Sequence, residues 1–300
     1  MLLPSLYIAG VLSMNPLVSN VGMADSHVHE YNGIFYMYAT HDYSPTNTGF
    51  RMDDWNVWSS PDLVEWTLAS TLYPNETAAS PSDYHECWAT DSAHKDGQYY
   101  FYQSLGPGQV GVVNSSTPVG PWENFLGTPL LNTSFGQHVG ATFRDPCAFQ
   151  DTDGETYLIA GVFDYFIAKL GPDLMSLAEY PQKVQVLNPT GPYGAKTDDK
   201  PFMHKANGLY YLSWGCFYGT GASPYGPFQY VGSAIDTAFL APDFRMNQTT
   251  GPWYGWEDYA DRHGSFFTNQ GGQSFYSSND RSHSSDSRNP SVYRDTVLGE

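Results

Sequence analysis

Three aspartates, one tryptophan and one histidine stand at matching distances before five glycine-containing turns. These residues are Asp25, Trp88, Asp145, Asp199 and His263, and each precedes its turn glycine by eight or nine positions. A single aspartate at the start of a strand is more often a turn residue. Three at one repeat position are harder to explain in that way, because like charges that converge in a cleft cost stability and shift one another's pKa values. The spacing therefore indicates a site built from these side chains.

Two converging carboxyl groups are able to hydrolyse a glycosidic bond. The protonated one donates to the leaving oxygen, while the ionised one activates a water on the opposite face or attacks directly. A third carboxylate nearby can raise the pKa of the acid and orient it. Aromatic side chains could stack on the sugar, although each is also a candidate for the hydrophobic core. These aromatic candidates are Trp55, Trp58, Trp88, Trp214 and Phe217.

The five turns belong to a hairpin pattern that recurs along the chain, at Gly33, Gly97, Gly154, Gly208 and Gly272. Each turn leads into an alternating, aromatic-rich strand, and shorter strand pairs such as 57–68 and 221–232 lie between the hairpins. Each repeat is therefore about 60 residues and about four strands, and such units bury their faces only against one another. The pattern predicts an all-β fold, a five-bladed β-propeller, rather than a two-sheet sandwich.

The propeller is predicted to occupy the whole chain, 1–300, as one catalytic domain. Its core runs from 15 to 280, and the polar segment 281–300 either closes the last blade or contacts a neighbouring chain. Three hundred residues with 16% aromatics, 29 glycines and 21 prolines suit many short strands joined by turns.

The charge balance limits the classes of partner. Thirteen basic residues against 31 acidic ones give a net charge of −18, and such a surface repels phosphate backbones and anionic membranes. We therefore expect neither nucleic acid nor a membrane as a partner. A neutral oligosaccharide or polysaccharide is compatible with this surface. The oligomeric state is left open.

The three cysteines, Cys87, Cys147 and Cys216, are far apart and form no CxxC pair. They indicate neither a disulfide framework nor a zinc knuckle, and we expect buried free thiols, with one disulfide as the alternative.

The sequence gives limited information on location. No run approaches the roughly 18 apolar residues of a membrane span. The opening segment 1–16 is mildly apolar but lacks a basic start and a clean cleavage site, so a signal peptide is not established. N-glycosylation sequons favour a secreted, extracellular protein slightly; they lie at Asn75, Asn114, Asn132 and Asn247.

Several of these segments resemble glycoside hydrolase family 43 and its clan relatives, which are five-bladed propellers. MADSHVHEYNGIFYMYATHD is similar to the first-blade segment whose aspartate is the general base, which implies that role for Asp25. RDPCAFQDTDGETYLIAG is similar to the third-blade segment whose aspartate orients the acid and tunes its pKa, which implies that role for Asp145. The resemblance covers residues from about 15 to 280.

Two further segments extend the resemblance. CWATDSAHKDGQYYFYQS is similar to the second-blade WAPD segment, with Thr90 in place of proline, and places Trp88 and Asp91 among the substrate-binding residues. DRHGSFF is similar to the fifth-blade HGS segment, whose histidine often supports a metal ion or water cluster in the central channel. His263 is therefore a candidate to contact substrate and, through water, a structural Ca²⁺ or Na⁺. The resemblance implies that no cofactor is required.

The fourth blade departs from the family pattern. In KTDDKPFMHKANGLYYLSWG, Asp199 stands where the family has the acidic glutamate, and the side chain is shorter by about 1.5 Å. Three explanations are open. Asp199 is the acid, or another carboxylate, Asp198 or Glu86, takes its place, or the site no longer hydrolyses glycosidic bonds. An ammonium group from Lys200 close to Asp199 would lower the pKa of the carboxyl, which is wrong for a proton donor, but strand alternation predicts that Lys200 faces away.

These inferences lead to an inverting, exo-acting glycosidase. Asp25 deprotonates water, Asp199 or a neighbour protonates the leaving oxygen, and Asp145 positions the acid. The resemblance implies release of a pentose from α-L-arabinofuranosides or β-xylosides of plant-type polysaccharides. The alternatives are galactofuranosidase or galactanase activity, a sugar-binding propeller that has lost catalysis, and a protein-interaction propeller.

Overall fold

The computed structural model describes residues 17–18, 21–42, 51–78, 85–106, 108–135, 140–191, 194–234, 263–280 and 294–299. Within these ranges the regular secondary structure is almost entirely β-strand, and helix is limited to short turns such as the 3₁₀ segment Pro74–Glu76. No helix in these ranges has the length and apolar character needed to cross a membrane.

The strands of the described residues form five sheets that follow one another along the chain. The first contains β1 Gly22–Tyr31, β2 Ile34–Asp42, β3 Trp55–Ser60 and β4 Thr67–Leu72, and the second contains β5 Cys87–Lys95, β6 Gln98–Leu105 and β7 Val110–Ser115. The third contains β8 Cys147–Gln150, β9 Thr156–Val162, β10 Asp164–Lys169 and β11 Gln182–Lys183. The fourth contains β12 Val186–Leu187, β13 Pro201–Ala206, β14 Leu209–Trp214, β15 Phe217–Gly221 and β16 Phe228–Ser233. The fifth contains β17 Gly264–Thr268, β18 Ser274–Asp280 and β19 Arg294–Gly299.

Neighbouring strands within the sheets are antiparallel, except that β12 runs parallel to β16 at the outer edge of the fourth sheet. The polar C-terminal segment supplies β19, which pairs with β18.

All five predicted hairpins are confirmed. They join β1 to β2, β5 to β6, β8 to β9, β13 to β14 and β17 to β18. Each of the five predicted turn glycines has a φ between 77° and 89°. Glycine adopts this left-handed backbone without the steric cost that other residues meet, so the turns form where the sequence places the glycines.

The first strand of each hairpin contacts the first strands of its neighbours. β1 contacts both β5 and β17, β5 contacts β8, β8 contacts β13, and β13 contacts β17. The arrangement is all-β and propeller-like, with these five strands innermost. Residues at the starts of these strands lie close together: His263 before β17 contacts Asp25 of β1, and Lys200 before β13 contacts Asp145 before β8.

The hydrophobic core lies between the sheets. Tyr102 of the second sheet packs with Leu158 and Phe166 of the third. Ile159 of the third sheet packs with Leu212 of the fourth. The sheets therefore stabilise one another face to face, which is the packing that the repeat pattern requires. The three cysteines are buried free thiols, as predicted.

Candidate active site

Two of the predicted aspartates occupy left-handed backbone at the start of an innermost strand. The φ of Asp25 and that of Asp145 are both 57°, a conformation that aspartate tolerates better than most residues. The pairing of β1 with β2 shifts register between Ala24 and His27, so Asp25 lies in a β-bulge. Bulges are used to re-aim a side chain. Here the Asp25 carboxylate reaches residues of the fifth sheet.

In the fourth sheet the equivalent backbone position belongs to Lys200, and this corrects the predicted register by one residue. Lys200 has a φ of 46° and directly precedes Pro201, as Asp145 precedes Pro146. Asp199 therefore lies one residue before the position that is equivalent to Asp145. Counting back from the turn glycines misses this shift because Gly154 lies eight residues after Pro146, whereas Gly208 lies seven residues after Pro201.

His263 joins two of the carboxylates. It lies one residue before β17 and is 4% exposed, and its Nδ1 donates a hydrogen bond to Asp25 Oδ1 at 2.8 Å. Its Nε2 contacts Asp199 Oδ1 and lies 3.7 Å from Asp198 Oδ2. A single imidazole therefore bridges the first, fourth and fifth sheets.

Asn279 completes the support of Asp25. Its Nδ2 donates to Asp25 Oδ1 at 3.0 Å, and its Oδ1 accepts a hydrogen bond from the Asp25 backbone N–H at 2.9 Å. The pair of bonds fixes both the backbone and the carboxylate of Asp25. No sequence motif pointed to Asn279, which lies on β18 and is 254 residues away.

Asp145 is held behind the other two carboxylates. Its backbone N–H donates to Ser104 Oγ at 2.6 Å, and its Oδ2 accepts the backbone N–H of Lys200 at 3.3 Å. The guanidinium Nε of Arg144 lies 4.0 Å from the same oxygen. Asp145 thereby links the third sheet to Ser104 of the second sheet and to Lys200 of the fourth, the residue that follows Asp199.

The carboxyl groups have opposite electrostatic environments. Burial, together with the negative charges of Asp199 and Asp25, raises the pKa of Asp145 to about 7. Burial alone would also raise the pKa of Asp25. The charge and hydrogen bond of His263 outweigh it and, with Lys200 and the Asn279 amide, lower the pKa of Asp25 to about 2. Asp25 is therefore ionised at neutral pH, while Asp145 retains a proton in that range.

His263 is charged for the same reason. Burial would lower its pKa, but the carboxylates of Asp199 and Asp25 raise the pKa of His263 well above its usual value. In return, although burial would raise the pKa of Asp199, contact with His263 lowers it. The histidine, rather than a lysine, is thus the main cation acting on Asp199.

Exposure separates the carboxylates that a substrate can touch from those that it cannot. The Asp199 side chain is 33% exposed and that of Asp25 is 19% exposed. Asp145 and Asp198, at 7% and 1%, are buried behind them. Asp198 therefore joins the cluster but lies too deep to meet a glycosidic oxygen. The backbone of Glu86 forms an isolated β-bridge with Met52.

Three of the aromatic candidates, Trp55, Trp58 and Trp214, are core residues, so the prediction that they stack on sugar is wrong. Trp55 and Trp214 are fully buried. Their indole N–H groups donate to the carbonyls of Trp88 and Thr190, at 2.7 Å and 3.0 Å. Neither ring has a face left for a ligand.

Trp88 and Phe217 are the partly exposed members of the predicted aromatic set. The Arg144 guanidinium lies over the Trp88 ring, 5.2 Å from its centroid, so this arginine links the ring to the carboxyl group of Asp145. Phe217 packs against the core of the fourth sheet and, with Cys216, against the fifth.

Asp91 is a structural residue rather than a substrate ligand, and the prediction for it is also wrong. Its side chain is 1% exposed. It accepts hydrogen bonds from His29 Nε2 and from the backbone N–H of Ala148, both at 2.7 Å, and its Oδ1 contacts His27. Asp91 thus connects the first, second and third sheets.

Lys200 does not face away from the site. Its side chain is 1% exposed, and within the described residues its ammonium has no hydrogen-bond partner. Its charge lowers the pKa of Asp25 and contributes to a pKa of about 4 for the buried His27. Alternation along a regular strand does not apply here, because Lys200 has left-handed backbone just before β13 begins.

His263 is poorly suited to hold a metal ion directly. With Asp198 and Asp199 it forms a group whose ligand atoms lie within 4.8 Å of one another. However, both of its ring nitrogens already contact carboxylates, and its raised pKa keeps it protonated. A metal ligand must be the neutral imidazole.

Comparison with known proteins identifies relatives over most of the chain. Residues 13–298 match the model of the family described as glycosyl hydrolases family 43. A xylosidase/arabinosidase of Bacteroides ovatus is 29% identical over 265 residues, which cover 72% of this chain and 79% of that protein. The β-D-galactofuranosidase xynD of Aspergillus niger is 32% identical over 228 residues, which cover 68% of this chain and 62% of that protein.

A similar solved structure is that of a family 43 β-xylosidase/α-arabinofuranosidase from a compost metagenome, in complex with xylotriose. It superposes with a TM-score of 0.74 at 24% identity, over 95% of this chain and 93% of that one. At 24% identity, this structural similarity supports the assignment of the fold alone.

Proposed function

The chain belongs to glycosyl hydrolases family 43, and from that premise we propose that it is an inverting, exo-acting glycosidase that releases a pentose. The observation that carries the proposal is the Asp25–His263–Asp199 bridge. It presents two partly exposed carboxylates on opposite nitrogens of one buried imidazolium. A glycosidic bond could lie across these two carboxylates.

Asp25 is the base in this proposal. Its depressed pKa keeps the carboxylate ionised, and the bonds from His263 and Asn279 leave Oδ2 to accept a proton from water. The base removes that proton as the water attacks the anomeric carbon.

Asp199 is the proton donor, because it is the more exposed member of the pair that it forms with Asp145. The negative charge of Asp199 helps to raise the pKa of Asp145, so the pair holds one proton up to about neutral pH. In the resting site this proton resides on Asp145. Asp145 therefore acts as the reservoir and positioning residue, and Asp199 delivers the proton when substrate displaces its contact with His263.

The placement of base and acid on opposite nitrogens of one imidazole ring supports inversion, because the ring keeps the two carboxylates apart. Inverting glycosidases use about 6.5–9.5 Å, which leaves room for the water, and retaining ones use about 5–5.5 Å.

We also propose that the five sheets are the blades of a closed five-bladed propeller. The ring of contacts among the five innermost strands supports this, since β17 contacts β1 as well as β13. Closure would place the site at one end of the central channel.

The relatives support α-L-arabinofuranosides or β-xylosides as substrates, because proteins named as xylosidase and arabinosidase match most of the chain. The match to a β-D-galactofuranosidase keeps that activity as the second candidate. We further propose that the enzyme acts outside the cell on plant-type polysaccharide, a substrate too large to enter; detection of the protein in culture medium checks this.

Activity is proposed to need no cofactor, because the imidazolium of His263 already supplies a cation between the two carboxylates. The test is an assay on EDTA-dialysed protein with aryl arabinofuranosides, xylosides and galactofuranosides, followed by NMR of the first sugar released. We expect turnover of a pentoside, with a product of inverted anomeric configuration. Retained configuration, or activity that only Ca²⁺ or Na⁺ restores, would contradict the proposal.

The pH dependence follows from the proton held by the Asp145–Asp199 pair. The pKa of Asp145 is raised to about 7, so the proton is present below that pH and is lost as the pH rises through it. Because the pKa of Asp25 is about 2, the base stays ionised throughout this range. We expect kcat/KM on unactivated oligosaccharides to fall about tenfold per pH unit above about pH 7. A profile that stays flat to pH 9 would contradict this assignment.

A further inference from the structure

A strained turn carries a phenylalanine beside the candidate acid. Phe163 is the single residue between β9 and β10, and its φ is 60°. Its neighbours Val162 and Asp164 pair directly with each other in the ladder, so the turn is very tight. A bulky residue in left-handed backbone costs free energy, and such strain persists chiefly at functional sites, where the surroundings impose it.

Hydrogen bonds hold this turn against the chain segment that bears Asp199. The Phe163 backbone N–H donates to the Asp198 carbonyl at 2.9 Å. The Thr197 hydroxyl donates to the Phe163 carbonyl. The backbone N–H and the backbone carbonyl of Phe163 are therefore both hydrogen-bonded to the two residues that precede the candidate acid.

The ring itself remains accessible. The Phe163 residue is 42% exposed, and Lys196 Nζ lies 5.1 Å from the ring centroid. The turn thus keeps an aromatic ring at the surface instead of burying it. The turn is bonded to Asp198, the residue next to the candidate acid Asp199. This location distinguishes it from exposed apolar residues such as Phe125, which follows the bridge between Asn114 and Glu123 in the second sheet.

The position of the turn decides which sugar it could meet. Asp25 is supported from the fifth sheet by His263 and Asn279, whereas Phe163 belongs to the third sheet, on the side of Asp199. The anomeric carbon lies between base and acid, and the leaving group lies beyond the acid. Phe163 is therefore on the leaving-group side.

We propose that the Phe163 ring is the platform on which the first leaving-group sugar of a neutral oligosaccharide stacks, with Lys196 holding the ring in place. This subsite rests on the proposed glycosidase function and extends it to a preference for sugar leaving groups over small ones. Sugar rings carry apolar C–H faces that pack on aromatic rings, and burial of those faces is favourable.

The test compares substrates that release the same pentose with different leaving groups. Xylobiose is compared with β-D-xylosyl fluoride, and arabinofuranosyl-xylobiose with α-L-arabinofuranosyl fluoride. For each pair, the ratio is the kcat/KM on the oligosaccharide divided by the kcat/KM on the glycosyl fluoride. We expect Phe163→Gly to lower this ratio about tenfold. Its thermal midpoint should equal or exceed that of the unmodified protein, because glycine adopts this φ without strain. Phe163→Trp should keep the ratio within about threefold.

Phe125→Ala is the matched control, since Phe125 is 66% exposed on the segment that follows β7. Its ratio should be unchanged. Xylotriose affinity, measured by calorimetry on the same proteins with Asp25→Asn added so that the ligand is not hydrolysed, should fall only in Phe163→Gly. An unchanged ratio and affinity in Phe163→Gly, or an equal loss in Phe125→Ala, would overturn the subsite. If the unmodified protein turns over neither substrate, the proposed function fails, and the xylotriose affinities still decide the subsite.

Discussion

Replacing Asp25 with asparagine is expected to lower kcat about a thousandfold on every glycoside, including those with activated leaving groups. The amide keeps the shape of the side chain and can still accept the hydrogen bond from His263, but it cannot take a proton from water. Because water must be activated whatever the leaving group, a better leaving group should not restore the rate. The measurement is kcat on an aryl glycoside, a glycosyl fluoride and a disaccharide.

Asp96→Asn provides the matched control for this substitution. Asp96 is exposed in the turn of the second hairpin, with a φ of 51° that asparagine also tolerates, so we expect unchanged rates. Circular dichroism of Asp25→Asn checks that the fold is kept. Undiminished turnover in Asp25→Asn would exclude it as the base. An unmodified protein that binds xylotriose without forming product would instead favour a sugar-binding propeller.

Replacing Asp199 with asparagine is expected to produce a loss that depends on the leaving group. We expect about a thousandfold loss in kcat on an unactivated disaccharide and less than about tenfold on a glycosyl fluoride, since fluoride departs without a proton from an acid. The decline above about pH 7 should disappear with the acid. These rates and the pH profile are measured on the same preparation.

Asp145→Asn and Asp198→Asn separate the candidate acids. Asp145→Asn removes the group that holds the proton near neutral pH, so the alkaline decline should move to lower pH, with about a 10- to 100-fold loss on the disaccharide. Asp198→Asn should cost less than about tenfold, because its buried side chain does not reach the substrate. A leaving-group-dependent loss in Asp145→Asn, with a uniform loss in Asp199→Asn, would transfer the role of acid to Asp145.

Much of the fold could be predicted because its signals are local. The turn glycines at Gly33, Gly97, Gly154, Gly208 and Gly272 each specify a hairpin within a few residues, and all five form. Their spacing predicts repeated units that pack face to face, which is the observed arrangement of sheets. The positions of Asp25, Asp145 and His263 at the starts of innermost strands follow from the same count.

The sequence by itself also predicted which carboxylates come together, although its register for the fourth sheet was one residue out. A difference of one residue in the spacing between proline and turn glycine is enough to exchange Asp199 for Lys200 at the equivalent backbone position, and a repeat count cannot detect it. The resulting burial of the Lys200 ammonium depends on left-handed backbone that no propensity assigns to lysine.

Only the tertiary structure decided which residues serve chemistry and which serve packing. Trp55, Trp214 and Asp91 have residue types suited to a sugar site, yet their surroundings bury them completely. The protonation pattern is likewise a through-space property: His263 lies 238 residues from Asp25 and sets its ionisation from 2.8 Å. Burial and charge separation depend on neighbours that are distant along the chain, so they become defined only when the five sheets come together.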